Sequence, residues 1–267
     1  MCPAGSSNKS KEAKFKMSKS FALLMSPVVL AALAAPVHAQ EIQPEQTVSF
    51  NASLVSDYRY RGISQTRLQP ALQGGADTTH NPSGLYAGTW LSTIKWTRDA
   101  GGGGDVEWDL YAGKRGKLGE DAAYDVGVLG YVYPSNGLKK VSGFADANTA
   151  EIYGQLGYGP AYAKYSLALT NLFGFVDSRH SGYLDLGANL DLGQGLTLNL
   201  HAGRQDVRHH DAASYTDYKL GITKDFGVAS LALAFVGTNA GEAAYASPAN
   251  GKFLGKKALV ASVSKTF

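Results

Sequence analysis

The feature that most constrains the fold is a series of runs with period-2 hydrophobicity, separated by connectors that alternate between short and long. The short connectors are residues 81–84, 119–121, 159–160, 193–195 and 226–228, and they consist mainly of turn-forming residues. The long connectors are residues 62–69, 97–104, 135–147, 175–181, 208–214 and 240–256, which are polar, rich in glycine, or both. This alternation predicts an all-β, up-and-down antiparallel fold of about 12 strands, with both ends of the series on the short-turn side.

The two faces of these strands differ in polarity. In residues 182–193, leucine or alanine occupies each even position from 184 to 192, whereas Asp185, Asn189 and Asp191 occupy odd positions. The same pattern puts His201 on the polar face of the next run. After residue 39 no apolar stretch approaches the ~18 residues that a membrane helix needs. Because lipid tolerates strands only in a closed ring, the sequence predicts a transmembrane β-barrel.

The first 39 residues have the pattern of a signal peptide. Five lysines precede an apolar run at 21–35, and residues 37–39 supply the small side chains that signal peptidase requires. We expect residues 1–39 to be a signal peptide, with Met17 as an alternative start, and residues 40–267 to be an outer-membrane β-barrel. Without the leader the chain has 20 Lys and Arg against 21 Asp and Glu, so its charge gives no argument for a nucleic-acid partner.

The last strand of the series ends on an aromatic residue. Leu259, Ala261 and Val263 share the outward parity, and Phe267 ends the chain. A terminal aromatic on an alternating strand resembles the C-terminal assembly signal of outer-membrane barrels, which implies the barrel-assembly machinery as a partner. Lys265 also has the outward parity, but a lysine so near the end can snorkel to the interface.

Residues 56–65, SDYRYRGISQ, interleave aromatic rings with cations. The even positions of residues 47–55 are apolar, so Tyr58 and Tyr60 are expected to continue the lipid-facing side into the headgroup region. The odd positions of the segment are expected at the mouth of the barrel.

Residues 84–96 also separate into two faces. Tyr86, Trp90 and Ile94 lie on one face, and Thr89, Thr93 and Lys95 lie on the other. The charge of Lys95 assigns its face to the lumen, which leaves the aromatic face toward lipid.

Charged residues of inward parity line the expected lumen or its mouth. They are Asp57, Arg59, Arg61, Asp77, Lys95, Glu107, Asp109, Asp125, Glu151, Lys164, Asp185, Asp191 and Lys219. One interpretation is a narrow water-filled path whose charges tune passage, with the long loops as partial gates. The other is a plugged barrel in which these groups pair with one another. Both signs occur in similar number, so no strong ion selectivity is predicted. Arg59 and Arg61 are also candidates for contacts with lipopolysaccharide phosphates.

Other functional motifs are weak. Residues 208–211, RHHD, and His180 offer ligands for Zn²⁺ or Cu²⁺, but adjacent histidines of an extended chain point to opposite sides, which favours a solvated loop. Residues 101–104, GGGG, lack the lysine of a phosphate-binding loop. A lipid-modifying enzyme needs an outward-facing site, whereas His201 faces inward. We therefore expect no catalytic residue, no metal and no cofactor.

A resemblance to a known family runs along the chain after the leader. The blocks that carry it are VSDYRYRGISQT, ALQGGADTTH, GLYAGTWLST, WDLYAGKRG, DVGVLGYVYP, EIYGQLGYG and SVSKTF. They resemble, in this order, the proteobacterial TorF family of proposed porins, also called Gcw_chp proteins. The resemblance implies an outer-membrane barrel but no particular solute, and it assigns no role to the most recognisable block, Ser56 to Gly62.

These features together predict an outer-membrane porin through which small hydrophilic solutes diffuse passively, surrounded by outer-membrane lipid and lipopolysaccharide. The alternatives are a non-conducting structural or lipid-binding barrel and, with less support, a lipid-modifying enzyme. A secreted β-sandwich is disfavoured because nearly every strand carries an apolar outward face.

Overall fold

The computed structural model describes residues 44–267, which form a closed barrel of twelve antiparallel strands. The barrel strands are β1 (Gln46–Val55), β4 (Ala71–His80), β5 (Leu85–Thr93), β6 (Val106–Leu118), β7 (Ala122–Val132), β8 (Thr149–Tyr158), β9 (Ala161–Ala168), β10 (Gly182–Gly193), β11 (Leu196–Asp206), β12 (Tyr215–Asp225), β13 (Ser230–Thr238) and β14 (Ala258–Thr266). This architecture confirms the predicted fold. The predicted signal peptide, residues 1–39, lies outside the described residues.

The remaining elements of residues 44–267 are short and belong to the long loops. A hairpin of β2 (Arg59–Tyr60) and β3 (Ile63–Ser64) forms a separate sheet between β1 and β4. The helices are α1 (Trp96–Asp99), α2 (Glu242–Tyr245) and the 3₁₀ turns Leu138–Lys140 and Asp211–Ala213. No helix in this part of the chain is long and apolar enough to cross a membrane.

The barrel closes where its first strand meets its last. Val55 of β1 pairs with Ser262 of β14 on one side and with Ala71 of β4 on the other. The chain end extends this seam, because the amide of Phe267 donates to the carbonyl of Phe50 at 2.8 Å and the amide of Phe50 donates back at 3.2 Å. Every barrel strand therefore has two hydrogen-bonded neighbours, and the sheet has no edge.

The connectors of the barrel lie as their lengths predict. The short connectors and the chain end lie at one end of the barrel, here called the short-turn end. The connectors 56–70, 94–105, 133–148, 169–181, 207–214 and 239–257 lie at the opposite, long-loop end. The loops that could cover the lumen are therefore gathered at one mouth.

The outer surface is apolar and the interior is polar, as the parity of the strands predicts. Leu184 and Leu186 of β10 are exposed on the outside, whereas Asp185 and Asn189 between and beyond them are buried inside. The same alternation places exposed leucine, valine or phenylalanine on the outer face of most strands. A wall of this kind suits an apolar surrounding and a polar content.

The face assignment of β5 and its extension is wrong. Tyr86, Trp90 and Ile94 are buried inside the barrel, and the face with Thr89 and Thr93 points outward. The strand carries large apolar side chains at both parities, including Leu85 and Leu91 on the outer face. Polarity alone therefore could not assign its faces, and the aromatic rings fill space inside.

A charge placed in the middle of the outer surface tests this orientation. Leu186 is 46% exposed on the outer face of β10, and Leu186→Arg should lower the free energy of unfolding in lipid vesicles by ~2–4 kcal/mol. Val228, 73% exposed in a short turn, provides the control, since Val228→Arg should cost only ~0–1 kcal/mol. Denaturant titration of both variants in vesicles makes the comparison. Equal losses would contradict an apolar belt centred on Leu186.

Candidate functional site

Residues 56–70 fold back into the barrel, and we call them the inner loop. Their hairpin turns at Arg61 and Gly62, which have φ angles of +45° and +79°. Two consecutive positive φ angles match the turn that suits a two-residue hairpin, and glycine favours the second position. A Cβ atom at Gly62 would also lie 2.7 Å from Cβ of Asp217 on β12, so the turn is pressed against the barrel wall.

Tyr58 of the inner loop lies inside the barrel, so the expectation that it faces the headgroup region is wrong. It is 6% exposed, its hydroxyl donates to Oε1 of Glu107 at 2.6 Å, and its ring packs edge-on against Trp90 at 5.4 Å. Strand β1 ends at Val55, and the chain then turns inward. The outward parity of β1 therefore does not continue into the loop.

Tyr60 also points inward, which corrects the second tyrosine of the same prediction. Its hydroxyl is hydrogen-bonded to the hydroxyl of Tyr131 on β7. Phe173, from the loop 169–181, packs edge-on against both rings, at 5.6 Å from Tyr60 and 5.0 Å from Tyr131. Two loops and the wall thus meet in one aromatic cluster inside the long-loop end.

Arg61, at the tip of the hairpin, makes the most specific contacts of the inner loop. Its guanidinium donates to both carboxylate oxygens of Glu151 on β8, at 2.8 and 3.0 Å, and to Oε1 of Gln205 on β11 at 2.7 Å. The same group lies 4.2 Å from the ring centre of Tyr183 on β10 and 4.8 Å from that of Tyr60. This side chain therefore links the hairpin tip to three strands of the wall.

Asp57 and Arg59 hold the hairpin to the neighbouring loops. Arg59 pairs with Asp57 at 2.6 Å and donates to the carbonyl groups of Leu254 and Lys256, in the connector before β14. Further out, Arg67 forms an ion pair with Asp99 of the loop 94–105. The inner loop is thereby joined both to the wall and to the other loops.

The interior is closed at the long-loop end and unevenly filled elsewhere. The inward side chains around the hairpin, such as Glu107, Glu151 and Asp217, are buried. On β11 and β12, Asn199 and Lys219 also face inward but are only half-buried. The interior therefore keeps some exposed polar surface on that side, while the inner loop and the loops packed against it close the long-loop mouth.

The inner wall is asymmetric in side-chain size. Strands β13, β14 and β1 present small inward side chains, namely Ala232, Ala234, Ser262, Ser264 and Ser53. Strands β6 to β12 present large and charged ones, among them Tyr111, Tyr153 and Lys164. This part of the interior is consequently lined by less bulky and uncharged side chains.

A second polar cluster surrounds His201 of β11. Nδ1 lies 2.9 Å from Oδ1 of Asp185, and Nε2 lies 2.6 Å from Oδ1 of Asp217. Tyr162 and Tyr183 donate hydroxyl hydrogen bonds to the same two carboxylates, at 3.1 and 2.8 Å. An ionised carboxylate only accepts, so both contacts suit a ring that donates from both nitrogens. This cluster balances charge within the wall next to the hairpin tip.

Several buried polar atoms in and near the hairpin lack a hydrogen-bond partner among the described residues, including Nη2 of Arg59 in the hairpin itself. Two others are Oδ1 of Asp109 and Nε1 of Trp90, on register-paired positions of β6 and β5. Asp109 is 8% exposed and Trp90 is 3% exposed. A buried carboxylate oxygen without a hydrogen-bond partner is energetically costly. A cation or a hydrogen-bond donor placed beside Asp109 would therefore stabilise this part of the wall.

The charged residues predicted for the lumen occupy three kinds of place. Those of the inner loop are Asp57, Arg59 and Arg61, and those that point inward from strands are Asp77, Glu107, Asp109, Asp125, Glu151, Lys164, Asp185 and Lys219. The other two lie elsewhere. Lys95 follows β5 in a long loop, where its ammonium bonds Gln69, because the strand ends at Thr93. Asp191 is exposed at the short-turn rim, where it accepts from the amide of Gly193.

Sequence reasoning missed several residues that complete the site. Asp217 has the same parity as Lys219 two positions later, so the pattern that selected the lysine could also have selected the aspartate. Gln205, Tyr131 and Tyr183 are inward neutral residues, which a search for charges passes over.

The RHHD segment is tied to a neighbouring loop. His209 Nδ1 lies 2.9 Å from the carbonyl oxygen of Asp177, and His210 Nε2 lies 2.6 Å from that of Val176. Within residues 44–267, no group of three or more His, Cys, Asp or Glu side chains is arranged to hold a metal ion.

A closed twelve-stranded barrel with an apolar exterior and a polar interior has the architecture of outer-membrane-type β-barrels. The chain belongs to the Gcw_chp family, whose model, described as "Bacterial protein of unknown function", matches residues 39–267. No curated protein sequence matches it.

Two solved porins are structurally similar to this chain at very low identity. The KdgM porin is 6% identical and aligns over 82% of this chain and 97% of its own, with a TM-score of 0.50. OprD of Pseudomonas aeruginosa is 9% identical over 82% of this chain and 66% of its own, with a TM-score of 0.41. Only the first likeness is close enough to support the fold, and it supports nothing finer.

The Arg61–Glu151 pair is expected to hold the hairpin in place. Arg61→Ala leaves Glu151 buried without its cation, which typically costs ~3–5 kcal/mol. We expect amide hydrogen exchange of residues 57–64 to accelerate while that of β10 is unchanged. Arg208→Ala, at an exposed arginine of the loop 207–214, is the matched control and should leave residues 57–64 protected. Unchanged exchange in Arg61→Ala would mean that other contacts hold the hairpin.

Proposed function

We propose that this protein is a narrow outer-membrane porin for passive diffusion of small hydrophilic solutes, and that the inner loop is its gate. The observation that carries the proposal is a polar, charged interior inside an apolar wall, covered at one mouth by a hairpin that is not part of the wall. A barrel of twelve strands is wider than the eight-stranded kind that wall side chains alone fill, so withdrawal of the hairpin would leave space inside.

The contacts of the hairpin are of a kind that can be broken without opening the barrel. Where backbone amides of the hairpin form hydrogen bonds outside the inner loop, they bond to other loops. The amide of Ser64, for example, donates to the carbonyl oxygen of Leu254 at 3.0 Å. Its contacts with barrel strands are made by side chains, chiefly those of Tyr58, Tyr60 and Arg61. Withdrawal of the hairpin would therefore leave the strand ladder intact.

The proposed location is the outer membrane, with lipid and lipopolysaccharide around the barrel. The apolar outer face and the closed ladder support it, since both suit a lipid surrounding. The aromatic Phe267, whose backbone bonds Phe50 at the seam, supports recognition of β14 by the barrel-assembly machinery. The predicted leader would direct export.

The same closure favours one alternative, a non-conducting structural or lipid-binding barrel. If the inner loop never leaves, the charges of the interior serve only to fill and rigidify the barrel. We propose no enzymatic role, because His201 faces the interior and its ring is held by Asp185 and Asp217.

Conductance in planar bilayers decides between the channel and the filled barrel. We expect brief, infrequent openings of the wild-type protein, and stable openings when residues 57–64 are replaced by a Gly-Ser linker, because the wall remains after the hairpin is removed. A matched control replaces the exposed residues 248–251 and should behave as wild type. If the linker variant folds, judged by heat-modifiable migration, and still carries no current, the channel proposal is wrong.

A further inference from the structure

The contacts of Arg61 define a binding site that belongs to the wall. Glu151, Gln205 and Tyr183 lie on β8, β11 and β10, whereas the group they hold lies on the inner loop. Nη2 of Arg61 donates to both oxygens of Glu151, Nη1 donates to Gln205, and the guanidinium lies over the ring of Tyr183. Charge-assisted hydrogen bonds to a carboxylate and contact with an aromatic face are features by which proteins recognise a guanidinium. If the hairpin withdraws, these three side chains stay in the wall as a site built for that group.

The wall around this site is acidic once the hairpin is removed. Glu107 would lose the hydroxyl of Tyr58, and the unpaired Oδ1 of Asp109 lies on the same strand face two residues further on. Asp217 would lose the cover of Gly62. The hairpin itself carries away Arg59 and Arg61. The wall keeps Lys164, Lys219 and the ring of His201, which already contacts Asp185 and Asp217. The ammonium of Lys164 lies 3.9 Å from the ring centre of Tyr153, nearer the short-turn end.

We propose that the wall site of Glu151, Gln205 and Tyr183 binds the guanidinium group of a permeating cationic solute, which displaces Arg61 and so opens the gate. This inference rests on the proposed channel function and names the class of solute for it. Exchange of one guanidinium for another keeps Glu151 paired throughout. A neutral solute would instead leave that carboxylate without a cation, bonded only to the hydroxyl of Tyr131, which is the costly outcome for a broken ion pair.

Arginine and citrulline form a matched pair of test solutes, since citrulline has a neutral urea group where arginine has the guanidinium. Uptake of each is measured into liposomes that contain the purified protein. We expect arginine to enter wild-type liposomes roughly tenfold faster, the factor that about 1.4 kcal/mol of differential interaction gives. Glu151→Gln should remove the preference while citrulline still enters. Asp191→Asn, the same chemical change at the exposed short-turn rim, should keep the preference.

Block of the open channel by an occupied wall site provides a second readout of the same site. Arg61→Ala empties the wall site, so millimolar methylguanidinium should reduce the conductance of this variant, whereas methylurea should not. In the double variant Arg61→Ala, Glu151→Gln neither compound should act. A response to methylguanidinium that survives the loss of Glu151 would place its binding elsewhere and overturn the assignment.

The outcomes separate this inference from the channel function. Equal entry of arginine and citrulline into wild-type liposomes overturns the guanidinium site and leaves the porin intact. A folded protein that passes neither solute, even with residues 57–64 replaced by the linker, overturns the porin and the inference with it.

Discussion

The structure depends on a ladder of hydrogen bonds that closes on itself between β1 and β14. A strand with a neighbour on each side leaves its side chains only two directions, out of the ring or into it. Closure therefore brings residues together that are far apart in the chain, as with Arg61 and Glu151, 90 positions apart. The polar network inside is a product of this closure, because none of its members could be desolvated and paired on an open sheet.

The interior combines charges that would be unfavourable one at a time. A buried ion pair is tolerated when its geometry is good and its remaining atoms are bonded, and it becomes a liability when one partner leaves. Arg61 meets that condition through Glu151 and Gln205, and His201 meets it through two aspartates. The contacts that hold the hairpin are therefore cooperative, since the loss of one weakens the others. Cooperative contacts favour two discrete positions of the hairpin over gradual loosening.

The strand number, the placement of the connectors and most face assignments could be predicted from the sequence, because a period of two and the length of a turn are local properties. The position of Tyr58 could not, since parity has meaning only while a strand continues, and β1 ends at Val55. Nothing local distinguishes a chain that leaves the membrane from one that turns into the barrel. The inward position of Tyr86 and Trp90 could not be predicted for a different reason, because both faces of β5 carry large apolar side chains. The partners of Arg61 lie on three distant strands, and only the closed ring identifies them.

The uneven distribution of side-chain size around the interior separates the width of the lumen from its charge, two properties that usually change together. Most of the inward charges lie on the wall of β6 to β12, while β13, β14 and β1 carry alanines, serines and other uncharged side chains on their inner face. An added methyl or methylene group at Ala234 or Ser262 would narrow the free cross-section without touching an ion pair. The width of the lumen and its charge are therefore set by different strands. Substitutions on β13, β14 and β1 can change the size of solute that fits while the charges of the lumen stay the same.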